Sequence, residues 1–220
     1  MSSELQKRVI TSIFLLLLLT LMFLYTFVLI ISLIIIAMIS WVEFYALISK
    51  NFNKVNRTDK IFRIFFKAAS LLYLSLLVCF IIIIKSTNHE LEIILIYGVS
   101  ISIMTDIGGL IVGKIFKGKK LTKISPKKTI SGAIGSFLFS ITLIPLFMNS
   151  LTNYDFFILL LFTLIISFSS QAGDLFISYF KRKANVKSTS DLLPGHGGVL
   201  DRIDGIIFAI PVSFLLFISF

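Results

Sequence analysis

Residues 178–205 are S-Y-F-K-R-K-A-N-V-K-S-T-S-D-L-L-P-G-H-G-G-V-L-D-R-I-D-G, a dense polar insertion between two apolar segments. The segment before it, about Phe156 to Phe180, is long enough at about 1.5 Å per residue to cross a bilayer as a helix. The segment after it, about 200–220, is almost entirely apolar. This alternation predicts membrane helices joined by a polar loop.

Composition agrees with a membrane protein along the whole chain. Of the 220 residues, 57% are hydrophobic and 14% aromatic, an apolar share above that of soluble domains. The single cysteine, Cys79, lies in an apolar run and excludes disulfides and cysteine-based metal sites. A net charge of +10 would suggest nucleic acid in a soluble protein, but here the basic residues occupy short loops between apolar runs. We therefore expect no nucleic-acid partner.

The hydropathy pattern predicts an all-α, polytopic membrane protein with about seven transmembrane helices in one domain, residues 1–220. The first apolar run, Val9 to Leu47, is about twice the ~20 residues needed for one crossing, so we expect two helices with a tight turn near Tyr25 and Thr26. The later helices are expected at about 68–84, 91–111, 132–147, 156–180 and 200–220. Glu43, within the second helix, is either an interfacial anchor or a buried partner for a lysine.

The basic residues are distributed on one side of the predicted membrane. With the N-terminus in the cytoplasm, seven helices place every Lys and Arg except Lys85 on the cytoplasmic side, which is a strong topological signal. The same topology puts four carboxylates near cytoplasmic helix ends, where they could meet in one cavity open to the cytosol: Asp106, Asp174, Asp201 and Asp204.

The polar insertion contains the residue types that phosphate chemistry needs. Three basic side chains can neutralise phosphate oxygens: Lys181, Arg182 and Lys187. Three glycines let a backbone approach a ligand closely: Gly195, Gly197 and Gly198. Asp201 and Asp204, three apart at a predicted helix start, could hold one divalent cation with Asp174 contributing from a facing helix. A helix N-terminus stabilised by acidic residues is the alternative for the Asp201 and Asp204 pair.

Two predicted membrane helices carry polar residues that lipid does not accommodate. The end of the 156–180 helix presents one polar stripe: Ser167, Ser170, Gln171, Asp174, Ser178 and Lys181. Such a stripe requires a wet cavity or a polar partner. Asp106, in the 91–111 helix, costs about 2.5 to 3.5 kcal/mol on insertion scales and is expected to face a polar interior. Small residues on the same helix, at Gly98, Gly109 and Gly113, predict a packing seam.

Several of these motifs together resemble a known family. The run S-x-F-K-R-x-x-x-x-K followed by L-P-G-H-G-G-V-L-D-R-I-D closely resembles the signature of the CDP-diacylglycerol synthases, also called phosphatidate cytidylyltransferases. The segment S-P-K-K-T-I-S-G resembles that family's Ser-Pro-x-Lys-Thr element, and Q-A-G-D-L around Asp174 also matches. Ser188 stands where the family usually has Asp, with Asp191 nearby in the loop, and Ile130 and Ser131 replace the usual Trp and Glu.

The resemblance implies transfer of CMP from CTP to phosphatidic acid, which gives CDP-diacylglycerol and pyrophosphate in phospholipid biosynthesis. It implies Mg²⁺ bound by Asp174, Asp201 and Asp204, with a second, monovalent cation left open. The catalytic set it implies is Asp174, Asp201, Lys181, Arg182 and Lys187. The substrate-binding set it implies is Asp106, Ser125, Lys128, Thr129, Ser178, Gly195, His196, Gly197, Gly198 and Arg202.

The expected partners are CTP, phosphatidic acid and the lipid bilayer, with a homodimer left open. The expected location is a bacterial inner membrane, with the active site facing the cytoplasm. Two other classes are alternatives: a cation transporter whose intramembrane carboxylates form an ion path, and another membrane lipid phosphotransferase. Transporters commonly contain internal repeats, and the sequence shows none.

Overall fold

The computed structural model describes residues 3–52, 56–87, 89–122 and 124–219. Lys54 and Lys123, counted above among the basic loop residues, lie outside these ranges. Within the ranges the regular elements are helices without any strand, so the predicted all-α class is confirmed. In the part of the chain that the structure describes, two isolated antiparallel bridges, Lys120 with Thr129 and Leu193 with Gly197, close loops.

The helices of the described chain contain the predicted apolar runs, but the helix expected at about 68–84 begins earlier, at Arg57, and the one expected at about 91–111 extends to Phe116. In order they are α1 (Ser3–Leu24), α2 (Thr26–Asn51), α3 (Arg57–Thr87), α4 (His89–Phe116), α5 (Ile130–Ile141), α6 (Ile144–Phe147), α7 (Phe156–Lys183), α8 (Leu200–Ile203) and α9 (Ile206–Ser219). Among the described residues, six segments are long and apolar enough to cross a membrane, and Val9–Leu24 is a shorter apolar helix. The expected turn near Tyr25 is confirmed, because α1 ends at Leu24 and α2 begins at Thr26.

Two of the predicted helices are interrupted in the structure. The expected helix 132–147 is divided into α5 and α6, because Pro145 near the start of α6 has no N–H to donate to the carbonyl of Ile141. The expected helix 200–220 is divided into α8 and α9 by a turn at Asp204 and Gly205, where Asp204 Oδ1 accepts a hydrogen bond of 3.0 Å from the Gly205 N–H. Asp201 and Asp204 therefore do not lie on one continuous helix.

The chain divides into two compact units. The first comprises Met1–Ile83 and Phe180–Ile203, and the second comprises Ile84–Tyr179 and Asp204–Phe220. In the first unit Phe180 packs edge-to-face against Phe44 and Phe66, with ring centroids 5.5 Å and 5.3 Å away. This aromatic cluster anchors the polar insertion near its start, at Phe180.

In the second unit α4 and α5 pack closely through glycines. A Cβ added at Gly135 of α5 would lie 2.3 Å from the Cβ of Val112 and 2.8 Å from the carbonyl oxygen of Gly108, both on α4. Gly109 and Gly113 likewise approach α5, and Gly98 approaches Ser213 of α9. The predicted packing seam is confirmed, and it serves two neighbouring helices.

The polar stripe of α7 faces polar partners in the second unit. Thr163 bonds the Tyr97 hydroxyl at 2.6 Å, Thr105 donates to Ser167 at 2.8 Å, and Ser102 bonds Ser170 at 2.8 Å. These side chains are buried, so each hydroxyl takes another hydroxyl as its hydrogen-bond partner in place of water. Of the two explanations for the stripe, a polar partner accounts for Ser167 and Ser170.

Candidate active site

The segment L-P-G-H-G in the first unit forms a tight turn. Leu193 N–H donates to the Gly197 carbonyl at 2.8 Å, and His196 N–H donates to the Leu193 carbonyl at 2.9 Å. Gly195 and Gly197 have φ angles of +76° and +88°, in the left-handed region that side chains with a Cβ disfavour. Glycine at these positions is therefore required by the turn itself.

Asp201, at the start of α8, connects this loop to α7. Its Oδ2 accepts hydrogen bonds from the Gly198 N–H at 3.1 Å and the Thr189 N–H at 2.8 Å. Its Oδ1 accepts from Lys181 Nζ at 2.7 Å. The carboxylate therefore binds both ends of residues 189–198, which we call the glycine-rich loop. It binds a buried lysine at the same time.

The three basic residues predicted to bind phosphate differ in exposure. Lys181 is only 8% exposed and is paired with Asp201, whereas Arg182 and Lys187 are exposed. Arg182 donates to the Val186 carbonyl at 3.3 Å, within its own loop. Lys181 is thus buried against Asp201, whereas Arg182 and Lys187 lie on the surface of the polar insertion.

Helix α1 contacts the tip of the loop, a contact that the sequence did not predict. Thr11 donates to the Pro194 carbonyl at 3.1 Å, and the Ser12 hydroxyl lies 3.3 Å from His196 Nε2. His196 Nδ1 is buried without a hydrogen-bond partner among the described residues. Arg202 donates to the His196 carbonyl at 2.8 Å. The available signal was that Thr11 and Ser12 are adjacent hydroxyl residues in an otherwise apolar run.

Glu43 of α2 also belongs to this part of the molecule. Its side chain is buried, and its carboxylate accepts four hydrogen bonds from the polar insertion: from Thr189, Ser190 and Val199, and from Leu200 at the start of α8. Neither expectation for Glu43, an interfacial anchor or a partner for a lysine, describes this role, because its hydrogen-bond partners here are hydroxyls and backbone amides of the polar insertion. An acidic residue inside a long apolar run was the signal that it had a specific partner.

In the second unit Asp174 is paired with the Ser-Pro-x-Lys-Thr element. Asp174 Oδ1 accepts from the Ser178 hydroxyl at 3.1 Å, and Oδ2 forms an ion pair with Lys128. Both partners of the ion pair are partly exposed, at 28% for Lys128 and 24% for Asp174. A lysine expected to bind nucleotide phosphates is therefore held by a carboxylate expected to bind metal.

The local fold of that element explains its sequence. Lys128 N–H donates to the Ser125 carbonyl at 3.0 Å, which closes a turn with Pro126 at its second position. Thr129 then caps α5, because its hydroxyl accepts from the Gly132 N–H at 3.0 Å. The turn and the cap together fix the backbone from which Lys128 extends.

The carboxylates that were expected to share one cavity are distributed over both units. Asp201 lies in the first unit, and the other three lie in the second: Asp106, Asp174 and Asp204. Asp106 is exposed on α4, while Asp204 is buried beside Gly205. Their meeting in one cavity stays a prediction.

The residues described here do not form a ready metal site of three ligands. Within the described ranges no group of three or more His, Cys, Asp or Glu side chains is placed to hold a metal ion. Carboxylate oxygens are ligands that Mg²⁺ prefers. However, both oxygens of Asp201 and both of Asp174 already accept hydrogen bonds or pair with a lysine. Mg²⁺ binding by Asp174, Asp201 and Asp204 therefore stays a prediction.

Known proteins similar to this chain carry one recurrent name. A family model described as "Cytidylyltransferase family" matches residues 2–220. A phosphatidate cytidylyltransferase of Rickettsia typhi is 41% identical over 144 residues, which are 61% of this chain and 62% of that protein. A protein of the same name from Staphylococcus epidermidis is 43% identical over 119 residues, 53% of this chain and 45% of that protein. The matched part thus spans about half the length of these curated relatives.

Proposed function

Because the chain belongs to the cytidylyltransferase family, we propose that it transfers CMP from CTP to phosphatidic acid, forming CDP-diacylglycerol and pyrophosphate. The observation that carries the proposal is the arrangement around Asp201. One carboxylate joins the glycine-rich loop to the buried Lys181. A glycine-rich backbone beside a fixed cation is suited to a polyphosphate, and the names of the bacterial relatives support phosphatidate as the second substrate.

In the proposed reaction a phosphatidate phosphate oxygen attacks the α-phosphorus of CTP. A new phosphorus–oxygen bond forms as the bond from the α-phosphorus to the bridging oxygen breaks, and pyrophosphate leaves with that electron pair. A phosphate monoester is already largely ionised near pH 7, so little help from a general base is needed. The residues would act mainly by positioning and by neutralising charge.

The basic residues of both units are proposed to bind phosphate oxygens. Lys181 and Lys128 each hold a carboxylate in this structure, and a phosphate oxygen is an equally suitable acceptor for either ammonium group. Arg182 and Lys187 are exposed, so a substrate that arrives at the surface of the polar insertion could reach their side chains. Mg²⁺ is proposed as the cofactor, and when bound it would neutralise charge on the triphosphate.

The protein is an integral membrane protein, and the finer location is a proposal. We place it in a bacterial inner membrane with the polar insertion facing the cytoplasm, where CTP is found. The one-sided distribution of basic residues and the bacterial relatives support this orientation. A homodimer stays a prediction.

Product analysis tests the proposed function. Purified protein in detergent is incubated with phosphatidate, CTP and Mg²⁺, and lipids and pyrophosphate are quantified. We expect CDP-diacylglycerol and pyrophosphate in equal amounts, and no product when diacylglycerol replaces phosphatidate. Phosphorylation of diacylglycerol would instead indicate a lipid kinase, and the absence of any lipid product would contradict the proposal.

A further inference from the structure

The strongest feature outside the predicted site residues is the set of hydrogen bonds to Glu43. This residue is 5% exposed and lies 146 to 157 positions away in sequence from the four groups that it binds. We infer that Glu43 is a positioning residue, whose carboxylate fixes the glycine-rich loop so that Asp201 and Lys181 are correctly placed. This inference rests on the proposed cytidylyl transfer.

The two carboxylate oxygens of Glu43 are used in the same way. Oε1 accepts from the Ser190 hydroxyl at 2.6 Å and from the Val199 N–H at 3.0 Å. Oε2 accepts from the Thr189 hydroxyl and the Leu200 N–H, both at 2.8 Å. Each oxygen therefore joins residues 189–190 to residues 199–200. The carboxylate closes the base of the loop that contains the P-G-H-G-G turn.

A short path leads from Glu43 to the buried lysine. The Thr189 hydroxyl lies 2.8 Å from Glu43 Oε2 and 3.1 Å from Asp201 Oδ2, and it donates to one of them at a time. Asp201 in turn holds Lys181 at 2.7 Å. Glu43 therefore acts on the proposed phosphate-binding lysine through the loop and Asp201.

The close approach of Glu43 also explains the glycine at position 198. A Cβ at Gly198 would lie 2.5 Å from Glu43 Oε2 and 1.9 Å from the Thr189 hydroxyl oxygen. Such distances exclude any side chain without displacement of the carboxylate or the threonine. The second glycine of H-G-G thus makes room for the carboxylate that organises the loop.

A carboxylate is required here because both of its oxygens face backbone donors. A glutamine has nearly the same shape, but its NH₂ group must occupy one of the two oxygen positions. There it would meet the N–H of Val199 or of Leu200, and a backbone N–H cannot become an acceptor. A hydroxyl partner could rotate to accept, whereas the backbone cannot. Glu43→Gln therefore leaves one buried donor without a partner whichever way the amide is turned.

The test compares Glu43→Gln with Glu43→Asp. Aspartate keeps the charge and both acceptor oxygens on a shorter side chain, whereas glutamine keeps the size and loses one acceptor. We expect Glu43→Gln to lower kcat/KM for CTP by about ten- to a hundredfold, the loss expected for an orphaned buried donor. Glu43→Asp should retain more activity than Glu43→Gln. The matched control is Glu92→Gln, which neutralises a carboxylate paired with Lys85 in the other unit and should leave activity unchanged.

Hydrogen exchange supplies a readout that does not depend on turnover. Amide exchange in peptides covering 187–200 should accelerate in Glu43→Gln, while peptides of α4 and α5 keep wild-type rates. A glutamine variant as active as an aspartate variant, or reduced activity with wild-type exchange in 187–200, would overturn the inference.

Two further outcomes are also decided by these measurements. If Glu43→Gln does not fold, Glu43→Asp carries the test: faster exchange in 187–200 supports the inference and wild-type exchange overturns it. If the wild-type protein forms no CDP-diacylglycerol, the proposed function fails and so does the assignment of Glu43 to that reaction. In that case the exchange rates still show whether Glu43 holds the loop.

Discussion

Lys181 Nζ lies 2.7 Å from Asp201 Oδ1, and the two side chains are only 10% and 6% exposed. In the second unit Lys128 is similarly paired with Asp174. Each pair joins a lysine expected to bind phosphate to a carboxylate expected to bind metal. Cation and anion therefore neutralise each other in this structure, and the phosphates of the proposed substrates would have to compete with the carboxylates for the lysines.

The buried pair predicts a stability effect for Lys181→Met. Removing one partner of a buried ion pair leaves the other charge uncompensated, which costs about 3 to 5 kcal/mol. We expect a lower thermal midpoint in detergent, partly recovered in the double variant Lys181→Met/Asp201→Asn, which removes both charges. Arg182→Met, at the exposed neighbouring position, is the control. Equal midpoints for Lys181→Met and Arg182→Met would show that the pair does not stabilise the fold.

Lys128→Ala should raise the KM for CTP more than the KM for phosphatidate. Loss of one charge-assisted contact to phosphate is worth about 1.5 to 3 kcal/mol, or about ten- to a hundredfold. The adjacent Lys127 is exposed and offers a matched control, because Lys127→Ala removes the same charge without the pairing to Asp174. Steady-state kinetics on both substrates separate the two lysines. Equal changes in the KM for CTP in the two variants would show that Lys128 contributes only to the surface charge.

The packing of α4 against α5 predicts that Gly135→Ala destabilises the protein. The new Cβ would lie 2.3 Å from Val112 Cβ and 2.8 Å from a backbone oxygen of α4, so the helices must separate. Overpacking of this kind typically costs about 1 to 3 kcal/mol. Thermal unfolding in detergent measures the loss, and Ile134→Ala, at an exposed position of the same helix, is the control. A Gly135→Ala midpoint at or above that of the control would refute a tight seam.

The proposed orientation predicts which loops an impermeant thiol reagent reaches. Ser150 lies between α6 and α7, in a connection without basic residues, whereas Lys119 lies in the lysine-rich connection between α4 and α5. In a Cys79→Ala background, intact cells should show labelling of Ser150→Cys and protection of Lys119→Cys. Both should react once the membrane is permeabilised. The opposite pattern in intact cells would invert the topology.

The sequence predicted features that depend on local composition. Hydropathy and residue size can be read directly from one sequence. They predicted the turn at Tyr25, the apolar segments and the glycine seam. The breaks at Pro145 and at Asp204 and Gly205 were missed because the helix bounds were set by hydropathy alone, without the helix-breaking effect of the proline and the glycine within those segments.

Long-range pairing was the part that the sequence could not supply. Glu43 binds groups about 150 positions away, and the residues next to it in sequence do not indicate that its partners are hydroxyls and amides. The pairs of Lys181 with Asp201 and of Lys128 with Asp174 are similarly tertiary. The sequence indicated that the lysines suit phosphate and the aspartates suit a metal ion, but it could not show that each lysine is paired with an aspartate.

Tracing the α and the γ phosphorus atoms of CTP to their products tests the central claim most directly. Purified protein is given phosphatidate and CTP labelled with phosphorus-32 at either the α or the γ position, and the lipid phase is then counted. Cytidylyl transfer predicts that α-label enters the lipid while γ-label is recovered in water-soluble pyrophosphate. Entry of γ-label into the lipid, or the absence of both labels from it, would contradict this account.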